Sequence, residues 1–280
     1  MEETETRIMI SSSLVLYKSK VKEVVRVLEC VEKSTISTVY VVDNSPTDAL
    51  KDIVDKNSTK AVYLYGQGNI GYGEGNNIGI RKAMEAGSKY HAILNPDIIF
   101  KTEVIDHLVS YMDAHQDAGL IKPQLTHLDG SFEGTSMLLP TPLDTFGRRL
   151  LPKAWVEKIN NRFELRNQDL TVIRNVPIFS GSFLFIRTSV FEKIGLFDDR
   201  YFMYFEDFDL VRRIHKVSKT VFYPHDTIIH AHAAEHKTNK KLLMISIKSA
   251  IKYFNKFGWF FDSERRKWNK EAQSDLSILE

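Results

Sequence analysis

The sequence has one cysteine, almost no net charge and no long apolar run. Cys30 has no second thiol to pair with among the 280 residues, which excludes an internal disulfide and fits a reducing compartment. The 38 basic and 36 acidic side chains leave a net charge of +2, and this balance argues against a general nucleic-acid-binding protein. No uninterrupted apolar stretch approaches the roughly 18–20 residues that cross a bilayer. The acidic segment 1–7 is not followed by the apolar run of an export signal, so we expect no signal peptide.

Short apolar strands alternate with helical segments through the first part of the chain. With 43% hydrophobic residues, a chain of this length can bury a full core as one large domain, or as one domain with an appendage. Predicted strands are Ile8–Leu16, Val39–Val42 and Ala61–Tyr65, and predicted helices are Val21–Val31 and Ala49–Lys56. This alternation is typical of a doubly wound α/β sheet, whose ligands bind beyond the carboxyl ends of the strands. Tyr17, Asp43 and Asn44 fall at those ends and are therefore binding candidates.

A glycine-rich segment, 66–79, follows the third predicted strand. Its glycines allow a ligand to approach the backbone closely, and Asn76 is predicted to cap a helix that continues to Ala86. A glycine-rich turn into a helix N-terminus is a natural anion site, and a flexible loop before a capped helix is the alternative. The segment lacks the third glycine of the dinucleotide-binding fingerprint.

A carboxylate stands at the end of the next predicted strand, Tyr90–Leu94. Asn95 and Pro96 lead directly to Asp97, and an oxygen ligand held rigidly at a strand end suits Mg²⁺ or Mn²⁺. The alternative is an Asx-Pro turn that only ends the strand.

Histidines follow the last predicted strand, over 227–229. His230 and His232 alternate along the chain, with His236 close behind, so two imidazoles on one face could share a metal. No thiolate lies near them, which disfavours a closed zinc site. A hydrogen-bonded structural histidine is the alternative at each position.

The segment 179–210 concentrates carboxylates among aromatic rings. The acidic residues near its C-terminal end are Asp198, Asp199, Glu206, Asp207 and Asp209. Apolar surroundings raise the pKa of a carboxylate and a neighbouring charge shifts it again, which is how a general base near neutral pH is made. The alternative is an acidic helix N-terminus, because a helix is predicted over Phe208–Val217. Both can hold, since a helix start aimed at a cleft also positions a base.

The remaining segments are less specific. Further predicted elements are the helices Val104–His115 and Val190–Ile194 and the strands Gly119–Ile121, Phe183–Ile186, Thr220–Tyr223 and Thr227–Ile229. Residues 131–175, with three prolines and scattered basic residues, are predicted to be irregular. Residues 240–261 predict a basic amphipathic helix with an aromatic end, which would lie on an anionic membrane surface or dock on the core. Residues 271–280 are expected to fray.

Taken in order, these segments resemble the rhamnosyltransferase-like branch of glycosyltransferase family 2. The resemblance covers residues 8 to about 260 and rests on segments 41–45, 68–79, 94–97, 181–187, 195–198 and 202–210 and the strand end at His230. It implies an α/β protein of the GT-A fold, a nucleotide-binding α/β/α sandwich with a mostly parallel central sheet. We expect this catalytic domain over residues 1–238 and a basic amphipathic helical segment over 239–280.

The resemblance also implies an inverting transfer from a nucleotide sugar and roles for single residues. The donor-binding residues would be Tyr17, Asp43, Asn44, Asn69, Gly71, Asn76 and Asn95. The ligands of a divalent cation, Mn²⁺ or Mg²⁺, would be Asp97 and His230. The general base would be Asp207, supported by Glu206 and Tyr204, with Gly181 and Ser182 on the acceptor side. The chain departs from the family pattern at Lys18, where an asparagine is usual, and at Asn95, which replaces the first acid of the metal motif.

The implied donor is dTDP-rhamnose, with a UDP-hexose or UDP-galactofuranose as the alternative. The implied acceptor is a lipid-linked or growing surface glycan, such as an O-antigen, capsule or cell-wall polysaccharide. The enzyme would then lie in the cytoplasm, or peripherally on the inner face of the cytoplasmic membrane. A nucleotidyltransferase would be expected to carry a basic residue in segment 66–75, which has none. A non-catalytic carbohydrate-binding scaffold would be expected to lack Asp97 or Asp207, and both are present.

Overall fold

Strands and helices alternate through the first half of the chain, as predicted. The structure is a computed structural model that describes residues 8–134, 136–147, 151–231 and 240–279. The first strands are β1 (Ile10–Leu16), β2 (Thr38–Asp43), β3 (Ala61–Tyr65), β4 (Tyr90–Leu94) and β5 (Ile98–Ile99). The helices between them and after them are α1 (Val21–Lys33), α2 (Lys51–Asn57), α3 (Tyr72–Glu85) and α4 (Val104–Ala114).

The second half mixes short strands with helices. Its strands are β6 (Ala118–Thr126), β7 (Phe132–Glu133), β8 (Ser136–Met137), β9 (Arg174–Asn175), β10 (Ile178–Phe179), β11 (Phe183–Arg187) and β12 (Lys219–His230). Its helices are α5 (Pro142–Phe146), α6 (Lys153–Phe163), α7 (Ser189–Ile194), α8 (Glu206–Val217), α9 (Lys240–Phe257) and α10 (Ser263–Ala272).

One mixed sheet forms the centre of the molecule, in the order β3-β2-β1-β4-β11-β6-β12-β5. β3, β2, β1 and β4 are parallel to one another, and β6 is parallel to β12. β11 runs antiparallel between β4 and β6, so the two parallel groups point the same way. The carboxyl ends of β1, β2 and β4 therefore open on one edge, which brings Tyr17, Asp43 and Asn95 to the same side of the sheet. The predicted α/β class with a mostly parallel sheet is confirmed.

Helices cover both faces of this sheet. Strand β11 shows the alternation that makes this happen: Phe183 and Phe185 join the core beneath α1 and α4, whereas Leu184 and Ile186 join the core beneath α7 and α8. Each residue is fully buried. A strand with two apolar faces must be covered on both sides, and this produces the three-layer sandwich.

Four details differ from the sequence prediction. Segment 131–175 contains α5 and α6 rather than only irregular chain. α5 begins with a capping box, formed between Thr141 and Asp144. α3 begins at Tyr72, so Asn76 is an interior helical residue and not its cap. β12 is one continuous strand with irregular register between Tyr223 and Thr227, where two strands were predicted. α8 begins two residues earlier than predicted, at Glu206.

The C-terminal helices pack on the rest of the protein. Ala250, Tyr253 and Phe254 of α9 form a buried cluster with Tyr201. The prediction that residues 271–280 fray is wrong for the part that is described: a 3₁₀ helix covers Asp275–Ser277, and the Leu279 N–H donates to the Ile173 carbonyl at 2.9 Å. Among the described residues, no helix combines the length and the apolar character needed to cross a bilayer.

Candidate active site

The nucleotide end of the predicted site lies at the carboxyl ends of β1 and β2. Asp43 is buried, and its carboxylate accepts hydrogen bonds from the Tyr63 hydroxyl at 2.6 Å and the Ser45 N–H at 2.9 Å. Asn44 is also buried, whereas the Tyr17 side chain is 49% exposed beside them. Asp43 is thus fixed from inside the protein, and Tyr17 is the more open surface at this end of the sheet.

The glycine-rich segment is held against this end by a close backbone contact. Gly71 has a φ of 92°, and a Cβ atom there would lie 2.3 Å from the Phe202 carbonyl oxygen. The Asn44 side-chain amide donates to the Gly71 carbonyl at 3.0 Å. Asn69 is exposed nearby, but Asn76 is fully buried, where it accepts from the Ser13 hydroxyl at 2.7 Å. Asn76 therefore supports α3 from within, and the structure does not bring it to the open surface.

Tyr72, which the sequence analysis did not single out, links three segments of the site. Its hydroxyl lies 2.9 Å from Asn95 Oδ1 and 2.8 Å from the Gly181 carbonyl oxygen. Burial raises its pKa well above the usual range, and the charges of Glu206 and Asp207 raise it further. Tyr72 is therefore a neutral hydroxyl that ties the strand end at Asn95 to the carboxylate pair.

The carboxylate pair lies at the start of α8. The Asp207 carboxylate accepts from the Gly181 N–H and from the Phe208 N–H, each at 2.8 Å. Burial raises the pKa of Asp207, although these two N–H groups and the Lys122 charge oppose that rise. Glu206 is buried, and its Oε2 has no hydrogen-bond partner among the described residues. Burial, and then the charge of Asp207, raise the pKa of Glu206 well above its usual range.

These opposite surroundings separate the roles that the two carboxyl groups can take. A carboxyl without donors in a buried site favours its protonated form, whereas a carboxylate that accepts two N–H groups can stay ionised. Glu206 is thus suited to remain neutral while Asp207 accepts a proton. The interpretation as an acidic helix N-terminus is confirmed, because the pair lies in the first turn of α8. The interpretation as a general base stays a prediction, and Asp207 is the member of the pair that accepts from the Gly181 N–H.

The backbone around Asp207 leaves little freedom. A side chain at Gly181 would press against the proposed base, since a Cβ atom there would lie 3.1 Å from the Asp207 Cβ. Tyr204 and Phe205, immediately before the pair, have φ angles of 69° and 67°. Residues other than glycine rarely adopt positive φ angles. Backbone strain of this kind persists where the surrounding structure fixes the chain.

A buried lysine, also missed from the sequence, holds the segment that contains Gly181. Lys122 is fully buried in β6, and its Nζ donates to the Ser180 carbonyl at 2.6 Å and lies 3.3 Å from the Ser182 hydroxyl. Burial lowers the pKa of Lys122 to about 7, against the opposing charges of Glu133 and Asp207. Ser182 is also buried, and its carbonyl accepts from the Asn95 N–H at 3.0 Å.

Asp97 and His230 meet where β12 pairs with β5. The Ala231 N–H donates to the Asp97 carbonyl at 2.7 Å, and His230 Nε2 lies 3.3 Å from Asp97 Oδ1. On the other side of the ring, His230 Nδ1 lies 2.8 Å from the Glu133 carboxylate, a third residue that the sequence analysis missed. Burial alone would lower the pKa of His230, but the two carboxylates outweigh it and raise the pKa to about 9. His232 and His236 lie outside the described residues.

This pair fits a divalent cation. Asp97 Oδ1 is buried without a hydrogen bond from any described residue, and the neighbouring imidazole nitrogen faces it. A carboxylate that holds the far ring nitrogen of a metal-binding histidine is a common arrangement, and Glu133 is placed for it. Among the described residues, no three such side chains are placed to hold one metal ion together. Mg²⁺ and Mn²⁺ commonly take one or two protein carboxylates together with substrate phosphates, so a pair is sufficient.

The mixed, mostly parallel sheet with helices on both faces fits the α/β GT-A fold of glycosyltransferases. The family described as glycosyl transferase family 2 matches residues 15–195, well over half of the chain, and the chain belongs to that family. The resemblance to its rhamnosyltransferase-like branch is confirmed by the relatives that follow.

Two curated relatives are rhamnosyltransferases. The chain is 28% identical over 212 residues to the N-acetylglucosaminyl-diphospho-decaprenol L-rhamnosyltransferase of Mycobacterium tuberculosis. The aligned residues cover 72% of this chain and 68% of the relative. It is 26% identical over 225 residues to rhamnosyltransferase WbbL of Escherichia coli K12, covering 77% of this chain and 81% of the relative. Among solved structures, GalNAc-T7 with UDP, GalNAc and Mn²⁺ matches 96% of this chain with a TM-score of 0.62 and 15% identity. This chain spans 55% of the GalNAc-T7 chain, and the likeness supports the GT-A fold.

Proposed function

We propose that this protein is an inverting glycosyltransferase that moves a sugar from a nucleotide sugar to a hydroxyl of a lipid-linked or growing surface glycan. The observation that carries the proposal is the continuous set of contacts from Asn44 through Gly71 and Tyr72 to Gly181 and Asp207. These contacts join the strand ends, where α/β folds bind nucleotides, to a partly buried carboxylate suited to take a proton. Membership of glycosyl transferase family 2 supports the reaction class.

The donor would occupy the edge of the sheet. Tyr17, Asp43 and Asn44 would contact the nucleotide base, and Asn69, Gly71 and Asn95 would line the path toward the reacting sugar. Asn76 would act through α3, because its side chain bonds inside the protein. The names of the two rhamnosyltransferase relatives support dTDP-rhamnose as the donor. A UDP-hexose or UDP-galactofuranose is the alternative donor for the same chemistry.

Asp97 and His230 would hold Mn²⁺ or Mg²⁺. Glu133 would fix the far nitrogen of His230, so that Nε2 stays turned toward Asp97. A divalent cation bound there supplies positive charge against the charge that develops on the departing diphosphate. The GalNAc-T7 structure with Mn²⁺ supports cation use in this fold.

Asp207 would be the general base. The acceptor hydroxyl would lie beside Gly181, Ser182 and Tyr204 and lose its proton to the Asp207 carboxylate. Its oxygen then forms a bond to the anomeric carbon while the bond from that carbon to the diphosphate breaks. Attack from the side opposite the leaving group is a single displacement and inverts the centre. Glu206, kept neutral by burial, would leave Asp207 as the only ionised carboxylate of the pair.

A donor screen with wild type and Asp207→Asn tests this proposal. Purified protein is offered dTDP-rhamnose and UDP-sugars with Mn²⁺, with Mg²⁺ and with a chelator, and both donor binding and sugar release or transfer are measured. We expect metal-dependent binding of one donor by both proteins, and turnover reduced about 10²–10⁴-fold in the variant, the range for losing a general base.

Asp199→Asn is the matched control, because Asp199 is an exposed carboxylate of the same acidic segment. It should keep wild-type turnover. The proposal fails if no nucleotide sugar binds under any condition, or if Asp207→Asn turns over the donor at the wild-type rate.

A further inference from the structure

Two phenylalanine rings project from the turn between α9 and α10. Phe260 is 73% exposed and Phe261 is 86% exposed, although neighbouring aromatic residues are packed. Trp259, one position earlier, lies 5.1 Å from the Phe254 ring and 6.1 Å from the Phe146 ring, measured between centroids. We call Phe260 and Phe261 the aromatic tip. Adjacent exposed phenylalanines are costly in water, so their position calls for an apolar partner.

The turn that carries the aromatic tip is rigidly braced. Gly258 has a φ of 103°, and a Cβ atom there would lie 2.5 Å from the Phe261 carbonyl oxygen. Arg265 donates to the Trp259 carbonyl at 2.9 Å, and the Trp259 indole donates to Asn255 at 2.8 Å. The rings are therefore held outward by a fixed backbone, and a partner would not have to order the turn in order to bind them.

A group of unpaired positive charges lies beside the aromatic tip. Arg266, Lys267 and Lys270 of α10 are exposed and line a surface cleft together with Phe261. None of the three forms an ion pair with a residue that the structure describes. Lys256 of α9 differs, because its ammonium is bound by Asp198 and Asp209. Lys248 of α9 is also exposed and has no ion pair among the described residues, but the three cations of α10 are the ones that lie beside the exposed Phe261 ring.

We propose that the aromatic tip and the three cations of α10 form a docking surface for an anionic lipid bilayer. Exposed phenylalanines can enter the headgroup region, while arginine and lysine reach the lipid phosphates from the same side. This docking surface rests on the proposed function in one respect: docking would bring the enzyme to its lipid-linked acceptor. It keeps the aromatic end of the membrane contact predicted for residues 240–261 and moves its basic part from α9 to α10, because α9 buries Ala250 and Phe254 in the protein.

We call α9, α10 and the turn between them the C-terminal hairpin. This hairpin carries the docking surface and also contacts the loop before the proposed base. The Ser249 hydroxyl of α9 donates to the Met203 carbonyl at 2.9 Å, and the Tyr253 ring lies 5.4 Å from the Phe205 ring. Phe205 directly precedes Glu206 and Asp207. Phe261 itself lies farther along α8, where it lines a cleft with Arg213 and Lys216. The two helices α9 and α10 therefore join the docking surface to the loop before the proposed base.

Vesicle co-sedimentation of the full chain tests the proposal. The probes are phosphatidylcholine vesicles with and without phosphatidylglycerol, at low and high salt. We expect salt-sensitive binding only to the anionic vesicles. Phe260→Ser with Phe261→Ser should weaken it at least about tenfold, from the apolar area no longer buried. Arg266→Gln with Lys267→Gln and Lys270→Gln should weaken it about a hundredfold or more, since each surface cation adds to the attraction.

Matched controls keep the result specific. Val62→Ser with Val217→Ser removes exposed apolar side chains elsewhere, and Lys22→Gln with Lys56→Gln and Lys193→Gln removes three exposed cations elsewhere. Both controls should bind like wild type.

Donor hydrolysis in solution is measured for every variant and should stay at the wild-type level, so a failed donor assay and a failed docking surface are told apart. Equal binding by the tip variant and wild type would overturn the proposal. So would a change of oligomeric state on removing the rings, because the tip would then be a protein interface.

Discussion

At the level of single residues, a buried ammonium group controls the position of the proposed base. Lys122 holds the Ser180 carbonyl, and the next residue, Gly181, donates its N–H to Asp207. The lysine thus acts on Asp207 in two ways, by fixing its donor and by its own charge. Each of these effects favours the ionised carboxylate.

Lys122→Met should move the acid limb of the pH–rate profile to higher pH. Burial raises the pKa of Asp207 and the Lys122 charge lowers it, so losing that charge raises it further. A base works when deprotonated, and its activity is lost as the pH falls through its pKa. The other carboxyl group of the pair, Glu206, is retained in the variant. The measurement is kcat/KM against pH, with circular dichroism as a check on folding. An acid limb that stays where it is in wild type, in a folded variant, would contradict the positioning role.

Single residues could be predicted where local sequence carries their chemistry. Asp97 follows a strand and Asp207 begins a helix among aromatic rings, and both were named from the sequence. Tyr72, Lys122 and Glu133 were not, because their partners lie 109, 58 and 97 positions away along the chain. A signal for Lys122 did exist, since a lysine inside the apolar run of β6 must find buried acceptors.

At the level of elements, the N-terminus of α3 depends on a close approach between two backbones. The Tyr72 N–H donates to the Phe202 carbonyl at 3.1 Å, and only a glycine at position 71 leaves room for that carbonyl. This contact joins the donor side of the site to the loop before Asp207. Helix start and loop must therefore move together.

Gly71→Ala should destabilise the protein more than Gly87→Ala. Both glycines have positive φ, 92° and 71°, so each alanine carries a backbone penalty of about 1 kcal/mol or more. Only position 71 adds a steric clash, because nothing lies within 4 Å of a Cβ atom at Gly87. Thermal unfolding of both variants isolates the cost of the close approach. Equal shifts in Tm would mean that the Gly71 contact is not tight in solution.

Helices and strands whose apolar residues recur at a regular spacing could be predicted from the sequence, and the other elements could not. The alternation of apolar strands and amphipathic helices up to residue 114 gave the correct order of the elements except for the two-residue strand β5, because one buried face dominates each longer element. Segment 131–175 was predicted as irregular because its prolines read as breaks. Pro142 instead begins α5, where its missing N–H is harmless. The start of α3 was misplaced because glycines fill its first turn.

At the level of the whole molecule, a buried ion pair attaches the C-terminal hairpin to the catalytic core. Arg212 of α8 donates twice to the Asp262 carboxylate, each time at 2.8 Å, and both side chains are almost fully buried. The guanidinium also lies 4.1 Å from the centre of the Phe257 ring. The sequence could not reveal this pairing, since 50 positions separate the two residues.

Arg212→Met should lower the free energy of unfolding by up to about 3–5 kcal/mol, because it leaves Asp262 buried with only the Arg265 guanidinium, 3.8 Å away, as its cation. Arg166→Met is the control. Arg166 also pairs with a carboxylate, Glu164, but its side chain is half exposed, and exposed pairs contribute about 0–1 kcal/mol. Urea unfolding of the two variants measures the difference. A shift for Arg212→Met no larger than that of the control would show that the hairpin is held by its apolar contacts alone.

The contact of Ser249 and Tyr253 with the loop before Asp207 has a practical consequence for engineering. Shortening the chain at about residue 239 would be the obvious way to obtain an enzyme free of lipid-binding side chains. That cut would also remove the contacts of α9 with Met203 and Phe205. Phe205 belongs to the turn with positive φ angles that directly precedes the proposed base. A version for use in water is better made by exchanging side chains on the outer surface of the hairpin and keeping its backbone.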